Sequence, residues 1–215
     1  MRFLLGALMF SVLSVLTPAL AADQSTLQFL GFSRDGKYAA YEQYGIHDGS
    51  GFPFSEIVVL NVSQNKTVVS VNKSLQQDGS TIDGARAQAL KAAQLSKYGI
   101  QSSNLGRSVY ASPLGKSSVQ FQAKNKSYAM GVQPITFKTS SCINPSVRGV
   151  NVQLNKKVIF KDLALPKDRV CAQKYAIQQV RVWDKNRGFI AFLRYEKDGF
   201  EGPDVRFWAV SGLLP

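Results

Sequence analysis

Two similar stretches at opposite ends of the chain constrain its fold most. Residues 38–44 and residues 189–195 are both β-prone and aromatic, and each is followed by Asp-Gly, by Gly and Pro, and then by an apolar segment at 57–60 or 205–210. Because Asp-Gly is common in tight turns, each stretch predicts a β-hairpin. We expect the two hairpins to lie in one sheet system with similar geometry, where their pairing would remove free edges.

Short segments rich in Val, Ile, Phe and Tyr fill most of the remaining chain, bounded by Gly, Asn, Ser or Pro. One Ala-rich amphipathic helix is predicted near residues 81–98, beginning at a capping box over residues 80–83 and ending at Gly99. The sequence therefore predicts a mostly β fold, a single domain of antiparallel strands that is either propeller-like or sandwich- or barrel-like. The predicted strands are residues 38–44, 56–62, 67–71, 118–123, 135–138, 150–154, 158–160, 176–183, 189–195 and 205–210.

The N-terminal segment has the pattern of a secretory signal peptide. Residues 3–16 are apolar, follow Arg2, and lead through Pro18 to the small-residue site at 19–21. We predict a signal peptide over residues 1–21 and a secreted domain over residues 22–215, located in the periplasm. Since no later segment is apolar enough to cross a bilayer, no membrane span is expected in the mature protein.

The chain contains two cysteines, Cys142 and Cys171. In an oxidising compartment an even number of cysteines is expected to pair, so we predict one disulfide. The bridge would stabilise the fold by about 3–4 kcal/mol in the chain-entropy model.

The sequence has few groups suited to catalysis. His47 is the single histidine, and no Gly-x-Ser-x-Gly nucleophile elbow is present. One histidine with a predicted disulfide leaves no zinc ligand set, and Asp-Gly favours a turn over a calcium loop. We therefore predict no catalytic residues, no metal and no cofactor, although Glu42 and Glu56 leave a carboxylate-dependent hydrolase open. The candidate binding residues are aromatic or acidic and lie in or near the two Asp-Gly turns: Tyr44, Asp48, Ser50, Phe52, Phe54 and Asp198.

The formal net charge is +12, and it is concentrated in residues 101–187. An anionic component of the cell envelope is therefore one possible partner, and another envelope protein is a second. The basic residues are scattered rather than clustered and interleaved with aromatics, so no nucleic-acid partner is expected.

Two resemblances add to this interpretation. Residues 32–41 resemble the blade motif of TolB-like and WD40-like propellers, a Phe-Ser-x-Asp-Gly-Lys turn that feeds an apolar strand. Nearly all of residues 27–210 resemble the bacterial family of predicted secreted proteins called domain of unknown function 2259. That resemblance implies export and a shared fold but no activity. We expect a non-enzymatic binding or interaction module of the cell envelope, with a carboxylate-dependent envelope hydrolase as the alternative. The residues that carry the family resemblance are 29–33, 42–45, 48–53, 160–162, Leu165, Pro166 and 169–172.

Overall fold

The computed structural model describes residues 22–144, 146–199 and 202–215, so the predicted signal peptide lies outside the described residues. The described strands form three four-stranded antiparallel sheets. The N-terminal sheet has the order β1 (Thr26–Phe32), β2 (Tyr38–Ile46), β3 (Pro53–Asn61) and β4 (Lys66–Ser74). The outer sheet has the order β6 (Ser118–Ala123), β7 (Lys126–Lys138), β8 (Ser146–Leu154) and β9 (Lys157–Lys161). The central sheet contains β5 (Arg107–Lys116), β10 (Ala172–Trp183), β11 (Gly188–Lys197) and β12 (Asp204–Leu213), in the order β12-β11-β10-β5.

The central sheet is buried on both faces, which makes the fold sandwich-like. Phe192 and Ala209 pack with the N-terminal sheet, in one cluster with Tyr41 and Leu60. The alternate residues of the same two strands, such as Leu193 and Val210, pack with the outer sheet. Because both faces are covered, β11 is an almost continuous apolar run rather than an alternating one.

The predicted helix covers the other face of the N-terminal sheet. The α-helix α1 (Ile82–Ala93) presents Ala85, Ala89 and Ala93, all buried, and the last two pack with Ile57 of β3. Its N-cap is Thr81 rather than Ser80, because the Thr81 hydroxyl accepts the Gly84 amide at 3.1 Å. The helix is also shorter than predicted, since Gln94 adopts a left-handed conformation. A 3₁₀ turn, Leu95–Tyr98, follows and brings further apolar side chains onto the sheet.

The two terminal hairpins have the same register. In β2–β3, Gly45 pairs with Phe54, and in β11–β12 the residues 151 positions further on, Glu196 and Val205, pair in the same way. The hairpins nevertheless belong to different sheets and stack face to face, so the expected edge-to-edge pairing is wrong. Their apolar faces meet across the interface, as with the Tyr41 and Phe192 rings at 5.4 Å, and burying these faces replaces edge pairing.

The free edge of β12 is closed by groups from the N-terminal part of the chain. The Val205 amide donates to the Asp23 carbonyl at 2.7 Å, and the Ser25 amide donates to the Val205 carbonyl at 3.2 Å. Further along, the side-chain amide of Gln43 pairs with both backbone groups of Phe207. The Asn65 side chain accepts the Ser211 amide at 2.7 Å. The backbone groups of an edge strand therefore find partners without a further strand beside it. The residues that close this edge are 23, 25, 43 and 65.

Two strands were not predicted from the sequence. β1 follows no clear alternation, and β5 contains Pro113 and Gly115, which disfavour strand structure. β5 tolerates the proline because it lies at the edge of the central sheet and pairs with β10 in an irregular register.

The predicted disulfide is confirmed. Cys142, in the connection between β7 and β8, is bonded to Cys171, which precedes β10, and their Cα atoms are 5.5 Å apart. The bond therefore joins the outer sheet to the start of a central-sheet strand.

Candidate functional site

The predicted binding residues of the first Asp-Gly turn lie close together. Tyr44 and Asp48 line an open groove of about 500 Å³. Arg86 of α1 covers the Tyr44 ring, with its guanidinium carbon 4.1 Å from the ring centroid. The Asp48 backbone amide donates a hydrogen bond to the Asp23 carboxylate. Ser50 is exposed in the turn, and its hydroxyl accepts the Phe52 amide at 3.4 Å.

Two of the predicted binding residues have structural contacts. Phe54 is only 3% exposed and stacks on the His47 ring at a centroid distance of 4.5 Å, so it offers little surface to a ligand. Asp198 accepts hydrogen bonds from the Asn144 amide at 3.2 Å and from the Gln173 side chain at 3.4 Å. Asp198 thus holds the segment beside the disulfide. A binding role for these turns stays a prediction.

Asp23 is a buried carboxylate that sequence reasoning missed. It is 4% exposed and accepts hydrogen bonds from the Arg206 guanidinium and the Asp48 amide. His47 Nδ1 lies 3.2 Å from the same carboxylate, which gives the single histidine of the chain a structural partner. The Asp23 amide in turn donates to Asp204 at 3.1 Å. This cluster joins the two Asp-Gly turns to the start of the described chain.

A second cavity lies between the N-terminal and central sheets and has a volume of about 310 Å³. We call it the inter-sheet cavity. Its N-terminal-sheet wall consists of Tyr41, Gln43, Glu56, Val58, Thr67 and Ser70. The opposite wall consists of Tyr195, Phe207 and Trp208 of the central sheet, with Asp168 and Arg169 from the loop before β10.

Glu56 is the carboxyl group of this cavity that stands out. Gln43 donates to it at 2.8 Å, and the Ser70 hydroxyl donates at 3.4 Å. Burial raises the pKa of Glu56 above its usual value, because the charged form loses hydration. The fold therefore holds a carboxyl group of raised proton affinity at a cavity wall, which is a common feature of binding and catalytic sites.

Two phenols from different sheets, Tyr41 and Tyr195, line the inter-sheet cavity, and the Tyr195 ring stacks on Tyr175 at a centroid distance of 5.8 Å. Tyr41 is 2% exposed and Tyr195 is 6% exposed, and within the described ranges neither hydroxyl has a hydrogen-bond partner. Burial raises the pKa of both tyrosines, so both stay neutral hydrogen-bond donors at physiological pH. Two buried polar groups are thus available to a ligand.

Arg169 fixes the loop at the cavity rim. Its guanidinium carbon lies 3.8 Å from the Trp208 ring centroid, and its Nη2 donates to Asp162 at 2.7 Å. The Nε and Nη1 atoms are buried without a hydrogen-bond partner, and the rings of Phe160 and Tyr175 also lie within 6 Å of the guanidinium. The positive charge is therefore balanced by two carboxylates, Asp162 and, at 3.7 Å, Asp168, and by aromatic faces. Arg169 therefore holds the loop before β10 against the cavity, with Asp168 beside it.

The two carboxylates considered for hydrolysis do not share a site. Glu56 pairs across the strands with Gln43, so Glu42, the preceding residue, points to the opposite face of the sheet. Glu42 is fully buried there and accepts two hydrogen bonds of 3.0 Å from Arg86 of the helix. The pair Glu42 and Glu56 therefore cannot flank one glycosidic bond.

Five of the basic residues of the middle region lie near one end of the outer sheet. Lys124, Lys126 and Arg187 line a small cavity of about 80 Å³. The turn that carries Lys156 and Lys157 lies at the same end, since β7 and β8 pair from Met130 and Leu154 onward. The sequence suggested scattered charges, but the folded chain brings several together.

Neither a membrane span nor a metal centre is evident in the part of the chain that the structure describes. No described helix is long and apolar enough to cross a membrane. Among residues 22–144, 146–199 and 202–215, no three His, Cys, Asp or Glu side chains are grouped so that they could hold a metal ion.

Comparison with known proteins gives a family without a known activity. No curated protein and no solved structure is significantly similar to the chain. Residues 40–212, which include all the lining residues of the inter-sheet cavity, match the family described as predicted secreted protein, domain of unknown function 2259. The chain therefore belongs to this family of predicted secreted proteins.

Proposed function

We propose that residues 22–215 fold as a single exported domain that acts in the periplasm as a non-enzymatic binding module of the cell envelope. Its ligand site is the inter-sheet cavity. The observation that carries this proposal is a cavity of about 310 Å³ whose walls bring together Glu56, the phenols of Tyr41 and Tyr195, and Arg169. The Nε and Nη1 atoms of Arg169 in this wall are buried without a hydrogen-bond partner, and such groups cost free energy, so a ligand that accepts hydrogen bonds from them gains affinity.

Binding is supported over catalysis by the arrangement of the carboxyl groups. Glu56 is partly buried, whereas the side chain of Asp168, the other carboxylate of the cavity, is 60% exposed. Acid–base catalysis by two carboxyl groups needs both to be held at a set separation across the reacting bond. An exposed side chain at the rim is poorly suited to that role.

The cavity contains a natural reporter of binding. The chain has two tryptophans; Trp208 lines the cavity, and Trp183 lies in the core, stacked on Phe32. We expect the small-molecule fraction of a periplasmic extract to shift the indole N–H signal of Trp208 in a ¹H–¹⁵N spectrum and to leave Trp183 in place. No shift of either signal would contradict a ligand at this site. Turnover of a cell-wall glycan that is lost in Glu56→Gln would favour the hydrolase instead.

A second contact, with an anionic envelope component, is supported by the basic end of the outer sheet. Such binding is electrostatic and should weaken steeply as salt rises. We expect the protein to associate with vesicles that contain anionic lipid, and Lys124→Glu with Lys126→Glu to abolish this association. The matched control is Lys66→Glu with Lys91→Glu, two exposed lysines on β4 and α1. Association that is unchanged in high salt would contradict an electrostatic contact.

A further inference from the structure

We propose that the inter-sheet cavity binds an uncharged sugar ring, one hexose unit of an envelope glycan. The inference deepens the proposed function and rests on it. It follows from three properties of the cavity walls, namely the balance of donors and acceptors, the local charge, and the shape and aromatic character.

The walls offer both donors and acceptors within one small space. The hydroxyls of Tyr41 and Tyr195 donate, while Glu56 accepts hydrogen bonds from only Gln43 and Ser70 and keeps further acceptor capacity. Sugar hydroxyls can donate and accept at the same atom, so a ring with several hydroxyls can satisfy both kinds of partner. A simple carboxylate or a simple amine can satisfy only one kind.

The local charge disfavours an anionic ligand, although the protein as a whole is basic. Arg169 is the cation in the walls, and its charge is already engaged by Asp162 at 2.7 Å and by the Trp208 ring. Asp168 and Glu56 add acidic groups at the rim and the wall. A phosphate or carboxylate would therefore meet more carboxyl groups than cations among the described side chains of the cavity, whereas a neutral ring meets no charge penalty.

The size and the aromatic surfaces suit a single ring. A volume of about 310 Å³ lies at the lower end of the range of pockets that bind small molecules, which leaves no room for a long ligand. Phe207 and Trp208 supply ring surface beside the polar groups. One face of a hexose consists largely of C–H groups and can pack on such surfaces while its hydroxyls reach the phenols and the carboxyl group.

The test is a titration of the purified exported protein, followed by the Trp208 indole signal, with Trp183 as the internal reference. The probes are glucose and N-acetylglucosamine, with sodium acetate and putrescine as charged probes of small size. We expect a saturable shift with at least one hexose. Tyr195→Phe removes one hydroxyl and keeps the ring, so it should weaken binding about threefold to tenfold. The matched control is Tyr98→Phe, whose ring packs against Tyr38 on the helix-covered face of the N-terminal sheet, and it should bind like the unchanged protein.

The outcomes separate this inference from the proposed function. A hexose that shifts Trp208 in a saturable way and binds more weakly to Tyr195→Phe supports both. The sugar assignment is overturned, while a binding function stands, if no hexose shifts the Trp208 indole signal but acetate, putrescine or the periplasmic fraction does. If neither the probes nor the periplasmic fraction shifts the Trp208 indole signal, the sugar assignment and the binding function are both contradicted. An equal affinity of Tyr195→Phe for the hexose would also overturn the assignment, because the phenol would then make no contact.

Discussion

Replacing Gln43 with methionine tests how the N-terminal sheet is joined to β12. Gln43 accepts the Phe207 amide at 2.9 Å, donates to the Phe207 carbonyl at 3.1 Å, and donates to Glu56 at 2.8 Å. Methionine has a similar length but can form none of these bonds. Both backbone groups of Phe207 then remain buried without a partner, at about 1–3 kcal/mol each. Part of that cost is offset by the apolar burial of methionine, so we expect a loss of about 2–4 kcal/mol in the free energy of unfolding.

Urea unfolding followed by circular dichroism measures this change. The midpoint temperature of thermal unfolding should fall by about 5–15 °C. The control is Gln120→Met, an exposed glutamine of β6, which should stay within about 0.5 kcal/mol of the unchanged protein. A similarly small effect for Gln43→Met would show that the amide contributes nothing to closing the β12 edge, and the reasoning would fail.

Three further predictions rest on other contacts. Neither Cys142 nor Cys171 should react with an alkylating agent in the unreduced, denatured protein, and replacing both with serine should cost about 3–4 kcal/mol of stability. Arg86→Met leaves the buried carboxylate of Glu42 without its cation and should lower the free energy of unfolding by about 3 kcal/mol. The double variant with Glu42→Leu should regain most of this loss, and no recovery would contradict the ion-pair argument. Because burial raises the pKa of folded Glu56 above 4.5, the unfolded state releases its proton first as pH rises. The contribution of Glu56 to stability is therefore greatest below pH 4.5 and falls as pH rises through the folded pKa. The free energy of unfolding, measured at about pH 4 and about pH 7, should lose this part of its pH dependence in Glu56→Gln.

Much of the fold could be predicted from local patterns, because these elements are determined by their own residues. The apolar run at 56–62 became β3, and Asn155, between the predicted strands 150–154 and 158–160, has the left-handed conformation of a hairpin tip. The division into three stacked sheets could not be predicted in this way. It depends on which apolar faces meet, such as Phe192 on Tyr41, and a matching hairpin sequence does not reveal whether its partner lies beside it or above it.

The candidate site was harder to predict for the same reason. Tyr41 and Glu56 were noted in the sequence as an aromatic residue and a candidate carboxylate, but their partners Tyr195 and Trp208 lie in strands near the other end of the chain. The spacing of residues along the sequence does not indicate that such distant positions line one cavity. The apolar and aromatic signals at these positions were typical of core strands, so they did not indicate a cavity wall.

The closure of the β12 edge has a consequence for the order in which the chain can fold during export. Asp23 and Ser25 lie at the start of the described chain, and their backbone partner Val205 lies in its last strand. A chain exported from its N-terminus would therefore keep these residues unpaired until β12 has crossed the membrane. A chain that stalls before β12 would leave the Asp23 carboxylate without Arg206. Chains stalled in this way would thus remain more open to proteases until β12 pairs with Asp23 and Ser25.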